Sequence, residues 1–182
     1  MVFNVHEFAG AFRLDGARPA LFQIDVTNPS LGAADAIFPF MAKAGSIPAS
    51  TLTTIEVPYM GRKIKVPGTR TFAEWSVTII NDEDFPIRNA LETWTNMINS
   101  FQGNLRTFPT SAPSEYKSVA KVTQLGKTGD VLRVYEFFGI WPSEVGAIAL
   151  AFETDAIEEF PVTFQYDYWE VVEGITGNAG GN

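Results

Sequence analysis

The chain has no cysteine in its 182 residues. That excludes a disulfide framework, thiolate metal ligation and a thiol nucleophile together. Histidine is almost missing as well: His6 is the only one, so no second imidazole exists to complete a zinc pair, and it reads as a surface residue. No uninterrupted apolar stretch approaches the ~20 residues that span a bilayer as a helix. Residues 1–20 lack the basic start and apolar run of a secretory signal, so the expectation is a soluble protein made in a cytoplasm, with no membrane binding of its own. The last shortage is positional. No Lys or Arg follows Arg133.

What is present follows from that gap. The formal net charge is −8, and nine acidic residues with no basic one follow Arg133, so that part stands at −9 and the rest at +1. An acidic balance argues against clamping phosphates or adhering to anionic membranes. The segment Tyr135–Glu170 concentrates the asymmetry, combining eight carboxylates with alternating aromatic and aliphatic residues. It must bury one face and present a negative one. Charged residues at 19% and hydrophobic ones at 46% are the proportions of a globular chain, and the length suits one domain, 1–182, with its own core.

The pattern is mainly β. In 19–27, Phe22, Ile24 and Val26 point one way and Gln23, Asp25 and Thr27 the other, the period of a half-buried strand. The run 36–41 contains Pro39 and reads as an edge or strand end. Residues 51–57 and 62–66 flank Pro58-Tyr59-Met60-Gly61 as a hairpin whose second arm carries the basic patch Arg62, Lys63 and Lys65. A strand over 72–80 follows, with Ala73, Trp75, Val77 and Ile79 on one face. The period then changes: Asn81–Asp84 offers caps, Pro86 a start, and Ile87, Leu91, Trp94, Ile98 and Phe101 form one helical stripe closed by Gly103. Residues 116–125 and 131–140 form a second hairpin, 141–146 a turn, 147–153 a strand, and 160–170 the last strand. Residues 1–16 read as an N-terminal arm and 171–182 as a flexible tail. About nine strands and one helix predict a β-barrel or sandwich flanked by a helix.

Chemistry-bearing constellations are sparse. Gly126-Lys127-Thr128 resembles the end of a phosphate-binding loop, but position 121 is Lys where that motif needs Gly, and a strand follows rather than a helix. Glu153, Asp155, Glu158 and Glu159 lack the spacing of a calcium loop and read as solvated strand ends rather than a metal site or a glycosidase pair. Tyr166, Tyr168 and Trp169 could stack a sugar or a base, which keeps a carbohydrate-binding β-sandwich open, but packing is the stronger reading. No triad, zinc motif or dinucleotide fingerprint is present. The residues alone give a β-rich domain that is not an enzyme and needs no cofactor.

Four segments say more: ARPALFQIDV (17–26), VPYMGRKIKVPGTRTFAEWSVTIIND (57–82), IWPSEVG (140–146) and FPVTFQYDYWE (160–170). In order and spacing they resemble the tail tube proteins of contractile-tailed bacteriophages, over roughly residues 10–170. The resemblance implies a small β-barrel or sandwich with a helix, closing six at a time into rings that stack into a hollow tube. That tube would lie within a sheath, meet baseplate and capping proteins, and pass double-stranded DNA without specific binding. It would be a virion component assembled in the host cytoplasm. Related tubes serve type VI secretion and other contractile injection systems, and that alternative stays open. The chain departs from the family in longer segments at 28–37 and 102–115 and in the tail at 171–182. Acids on polar strand faces, Glu136, Glu153, Asp155 and Asp167, are expected at the lumen wall, because a carboxylate wall repels DNA where a basic one would grip it. Arg62, Lys63 and Lys65 are expected to reach an adjacent ring or subunit.

Overall fold

A computed structural model describes residues 5–11, 16–29, 35–106, 112–153 and 156–178. In chain order the elements are α1 (Val5–Ala11), β1 (Phe22–Val26), α2 (Phe38–Met41), β2 (Ala42–Gly45), β3 (Ser50–Tyr59) and β4 (Arg62–Phe72). There follow β5 (Trp75–Ile80), α3 (Pro86–Ile98), α4 (Pro113–Tyr116), β6 (Ser118–Leu125), β7 (Val131–Val145), β8 (Glu159–Gln165) and β9 (Tyr168–Glu173). Seven strands form one sheet along the path β1-β6-β7-β8-β5-β2, with β9 pairing β7; among the described residues β3 and β4 pair only with each other.

The long strand β7 organises the sheet. Its first half pairs β6 and β9, and its second half pairs β8, all antiparallel. A register shift falls between Pro142 and Glu144, where the proline has no N–H for the ladder. The sheet thus curls over a single core. Ile24, Ala120, Val122 and Phe137 face Trp75, Val77, Ile79, Phe160, Val162 and Phe164, all buried. At its centre the Trp75 and Phe137 rings stack with centroids 4.4 Å apart and planes 9° from parallel. The two end strands do not pair, so the sheet is no closed barrel.

Helix α3 covers one end of this core with Ile87, Ala90, Leu91 and Trp94. Asn28 Nδ2 donates to the Ala90 carbonyl at 3.2 Å, and Trp94 Nε1 donates to Tyr116 O at 2.8 Å, so both polar groups are satisfied where the helix meets the sheet. Nearby, Asp35 accepts the Asn28 backbone N–H at 2.9 Å. Burial raises its carboxyl above the ordinary range, partly offset by that bond.

Several expectations change. The helix ends at Ile98 with Asn99 as its C-cap, so Phe101 leaves the apolar stripe and is 77% exposed. Its N-cap is Phe85 in the left-handed region at φ 51°, not one of the preceding acids. Run 36–41 is a short helix with Pro39 in its first turn, where a missing N–H costs nothing. The turn read at 141–146 is mostly the second half of β7, and the strand read at 147–153 is an irregular, mostly exposed segment with no partner strand among the described residues. The strand read at 160–170 breaks at Tyr166-Asp167 into β8 and β9, and β9 runs to Glu173 with Val171 buried, so residues 171–173 belong to the sheet. Besides α3, short helices occur at α1, α2 and α4. The stack at the core centre gives a direct check: Phe137→Ala lowers stability by about 3–5 kcal/mol, the usual cost of deleting a buried aromatic, read as a lower urea midpoint with an unchanged slope.

Candidate functional site

Two surface features stand out, an arm and a row of acids. The arm is the β3–β4 hairpin. Ten and eleven residues long, it reaches roughly 33 Å at ~3.3 Å per residue. Its turn, Met60-Gly61, has positive φ at both positions (43° and 78°), the geometry of a two-residue loop that matches strand twist. Almost every residue of the arm is exposed.

Its pairing makes the arm amphipathic. The pairs Ile55–Val66, Val57–Ile64 and Tyr59–Arg62 share one face, and Glu56–Lys65 and Pro58–Lys63 share the other. The alternation therefore separates Arg62 from Lys63 and Lys65. Lys63 Nζ also lies 2.7 Å from Glu56 Oε2, so part of the basic patch is already neutralised within the arm. The apolar face was hidden in the sequence, because the charged residues interleave with it.

Aromatic packing fixes the root of the arm. Phe72 meets Tyr166 and Trp169 edge-on, with centroids 6.0 and 6.2 Å apart. The Tyr166 hydroxyl donates to Ala73 O at 2.6 Å. Burial pushes the Tyr166 pKa up from 10.0 to about 12. These are aromatics of the closing segment, and the structure assigns Tyr166 and Trp169 to anchoring the arm.

The acids come together through register. Asp25 pairs Lys121, Lys121 pairs Glu136, and Glu136 pairs Glu170, so the four lie in one row across β1, β6, β7 and β9. The row points away from the core, since its neighbours Ile24, Val26, Ala120, Val122, Phe137 and Val171 point in. Lys121 Nζ is 3.4 Å from Glu136 Oε1. Asp167 lies at the β8–β9 break, held by Lys117 Nζ at 2.6 and 2.7 Å. It sits against Gly139, where φ is +68° and an added Cβ would run into its carboxylate. Glu153 is exposed on the irregular segment, away from any strand face, so the parity expected for it does not apply. Asp155 lies outside the described residues. Asp25 and Glu170 were missed as partners of Glu136 because only strand pairing joins them. Among the described residues no three His, Asp or Glu side chains come together to hold a metal ion.

The chain is similar to known proteins over most of its length. Residues 7–172 match the family described as phage tail tube protein. The chain is 39% identical over 158 residues to tail tube protein gp19 of Enterobacteria phage T4, covering 86% of this chain and 92% of that one. It is 27% identical over 169 residues to the tail tube protein of Serratia phage KSP90, covering 90% and 94%. In fold it resembles a chain of the PVC extracellular contractile injection system's sheath–tube complex, with TM-score 0.61 and 14% identity, covering 94% of this chain and 99% of that one. A chain of the anti-feeding prophage tube-terminating cap gives TM-score 0.63 at 16% identity, covering 86% and 91%.

The anchored tyrosine gives a pH signature. Its folded pKa is raised, so the unfolded chain ionises first, and the stability it contributes is intact below pH about 10 and lost as pH rises toward about 12. Tyr166→Phe flattens that decline, read from urea midpoints between pH about 9 and about 12.

Proposed function

The chain belongs to the phage tail tube protein family, and from that premise we propose that its copies close into hexameric rings that stack into the tail tube, the conduit through which the genome leaves the virion. One observation carries the reading: an arm with five large apolar side chains, Ile55, Val57, Tyr59, Ile64 and Val66, each 42–62% exposed, on a hairpin that pairs with no other strand among the described residues. Two strands alone are marginal in water, and an exposed apolar sheet face is an association surface. The arm is therefore a contact element toward neighbouring copies. Arg62 acts on its apolar face, and Lys63 and Lys65 on its charged one.

The row Asp25, Glu136 and Glu170, three carboxylates against Lys121, together with Glu153, Asp155 and Asp167, supplies the acid that keeps a conduit wall from holding DNA. Each phosphate–cation contact adds affinity by counterion release, and a repeating wall would multiply it. The subunit is structural rather than catalytic. Its partners are further copies, the contractile sheath, and the baseplate and capping proteins at the tube ends, with assembly in the host cytoplasm. A second reading, the inner tube of a bacterial contractile injection system, draws on the likeness of fold to such assemblies. The phage reading is preferred because identity reaches 39% there against 14% and 16%.

Purified protein is expected to give hollow rods with six-fold end views by negative-stain electron microscopy; a monomer at all concentrations on a sizing column overturns the reading. Lys63→Glu with Lys65→Glu should shorten the rods and make them dissociate at lower salt, and rods of normal length and salt resistance would remove those lysines from the interface. Glu136→Lys with Glu170→Lys should slow genome release from otherwise complete particles, measured by dye entry into host cells.

A further inference from the structure

The sheet leaves one seam open. Its end strands β1 and β2 come close, and a Cβ placed on Gly45 would lie 2.7 Å from Ile24 Cδ1, yet neither strand pairs with the other. Between them opens a cavity of about 160 Å³, bordered by Phe22, Ile24, Ile47, Trp75, Val122 and Gln124. About 150 Å³ of apolar cavity suffices for a molecule the size of benzene, so the seam has room for one large apolar side chain. Trp75 forms one of its walls, and an occupant that brings a large apolar side chain would fill it.

We infer that this seam is the receptor for the β3–β4 arm of a second copy, which lays its Ile55, Val57, Ile64 and Val66 face across the groove. The inference rests on the tube reading and names the surface that the arm meets. Three observations select this occupant. The arm is a preformed two-stranded element whose apolar face is uncovered. Its outer edges are unpaired, as are the outer edges of β1 and β2 among the described residues, so strand addition can join them. The chain's own arm leaves the groove uncovered: β3 begins only five residues after β2 ends, and its apolar residues stay exposed beyond that point. An arm on one copy and a groove on the next make a head-to-tail contact, which closes into rings or continues as a helical stack according to its rotation.

The absence of cysteine gives a clean background for the test. In the full chain, Ile47→Cys is combined with Ile64→Cys on the apolar face of the arm, or with Pro58→Cys on the charged face. Oxidised rods of the first pair are expected to run as a covalent ladder of dimers and higher multimers on non-reducing gels. The second pair and each single variant should show no ladder beyond dimers. Rods that form normally but give no ladder from the first pair, or an equal one from the second, overturn the docking. Failure of the unmodified protein to form rods overturns the tube reading instead.

Discussion

The curvature of β7 is the constraint on which the rest of the structure depends. A strand of fifteen residues that stayed straight would make a flat sheet with two exposed faces and no core. Pro142 and the shift beside it divide β7 into two segments that pair β6 with β9 and then β8. The segment paired with it breaks at Tyr166-Asp167, between β8 and β9, to follow the bend. With Gly139 at φ +68° just before it, the backbone turns where Asp167 needs space. Only then can Phe137 reach Trp75 and stack, and the sheet curl around one core. A curl made this way has ends, and those ends are β1 and β2.

The same geometry explains why the arm is long and bare. β2 and β5 are paired neighbours in the sheet, and β3–β4 carries the chain from one to the other far beyond the core. Nothing in the core reaches out to cover it. Its order comes from the ladder between its strands and from the aromatic cluster of Phe72, Tyr166 and Trp169 at its root. A hairpin with this much uncovered apolar surface is a liability in a solitary domain. In an assembling one it becomes a directed contact, since a rigid root fixes where the face is presented.

Much of this was legible in the residues. Period-two alternation located β1 and β5 and the spacing from Ile87 to Trp94 located α3, because burial on one face leaves a periodic trace, while the arm showed as two β-rich runs around a Pro/Gly turn. Where tertiary partners decide, the trace fails. The alternation of 147–153 has the look of a strand, but no described strand pairs with it, and Leu150 and Phe152 face solvent. Trp141-Pro142 has the look of a turn, yet its neighbours continue the ladder around the proline. Phe101 keeps helical spacing past the point where the helix has ended. The candidate site divides the same way. Arg62, Lys63 and Lys65 were visible as a basic arm, but which side is apolar depends on pairing, and the row from Asp25 to Glu170 spans 145 positions of sequence, which only strand order can bring together.

That row bears on how a negative wall can be built at all. In the proposed ring every charge recurs in each subunit and again in each stacked ring, so repulsion within the wall grows with assembly. Like charges directly opposite each other in a sheet are destabilising, and Glu136 faces Glu170 in that relation. Lys121 stands on the other side of Glu136 and faces Asp25 as well, so one ammonium moderates two carboxylates. Lys117 does the same for Asp167. These cations lie within hydrogen-bond or ion-pair distance of carboxylates, so they offer little free charge to a passing phosphate, while the row keeps an excess of two negative charges. A wall of unpaired acids would repel DNA more strongly but would also oppose ring closure. In the proposed tube, interleaved lysines held by their neighbours would let the subunits pack without giving the genome something to bind.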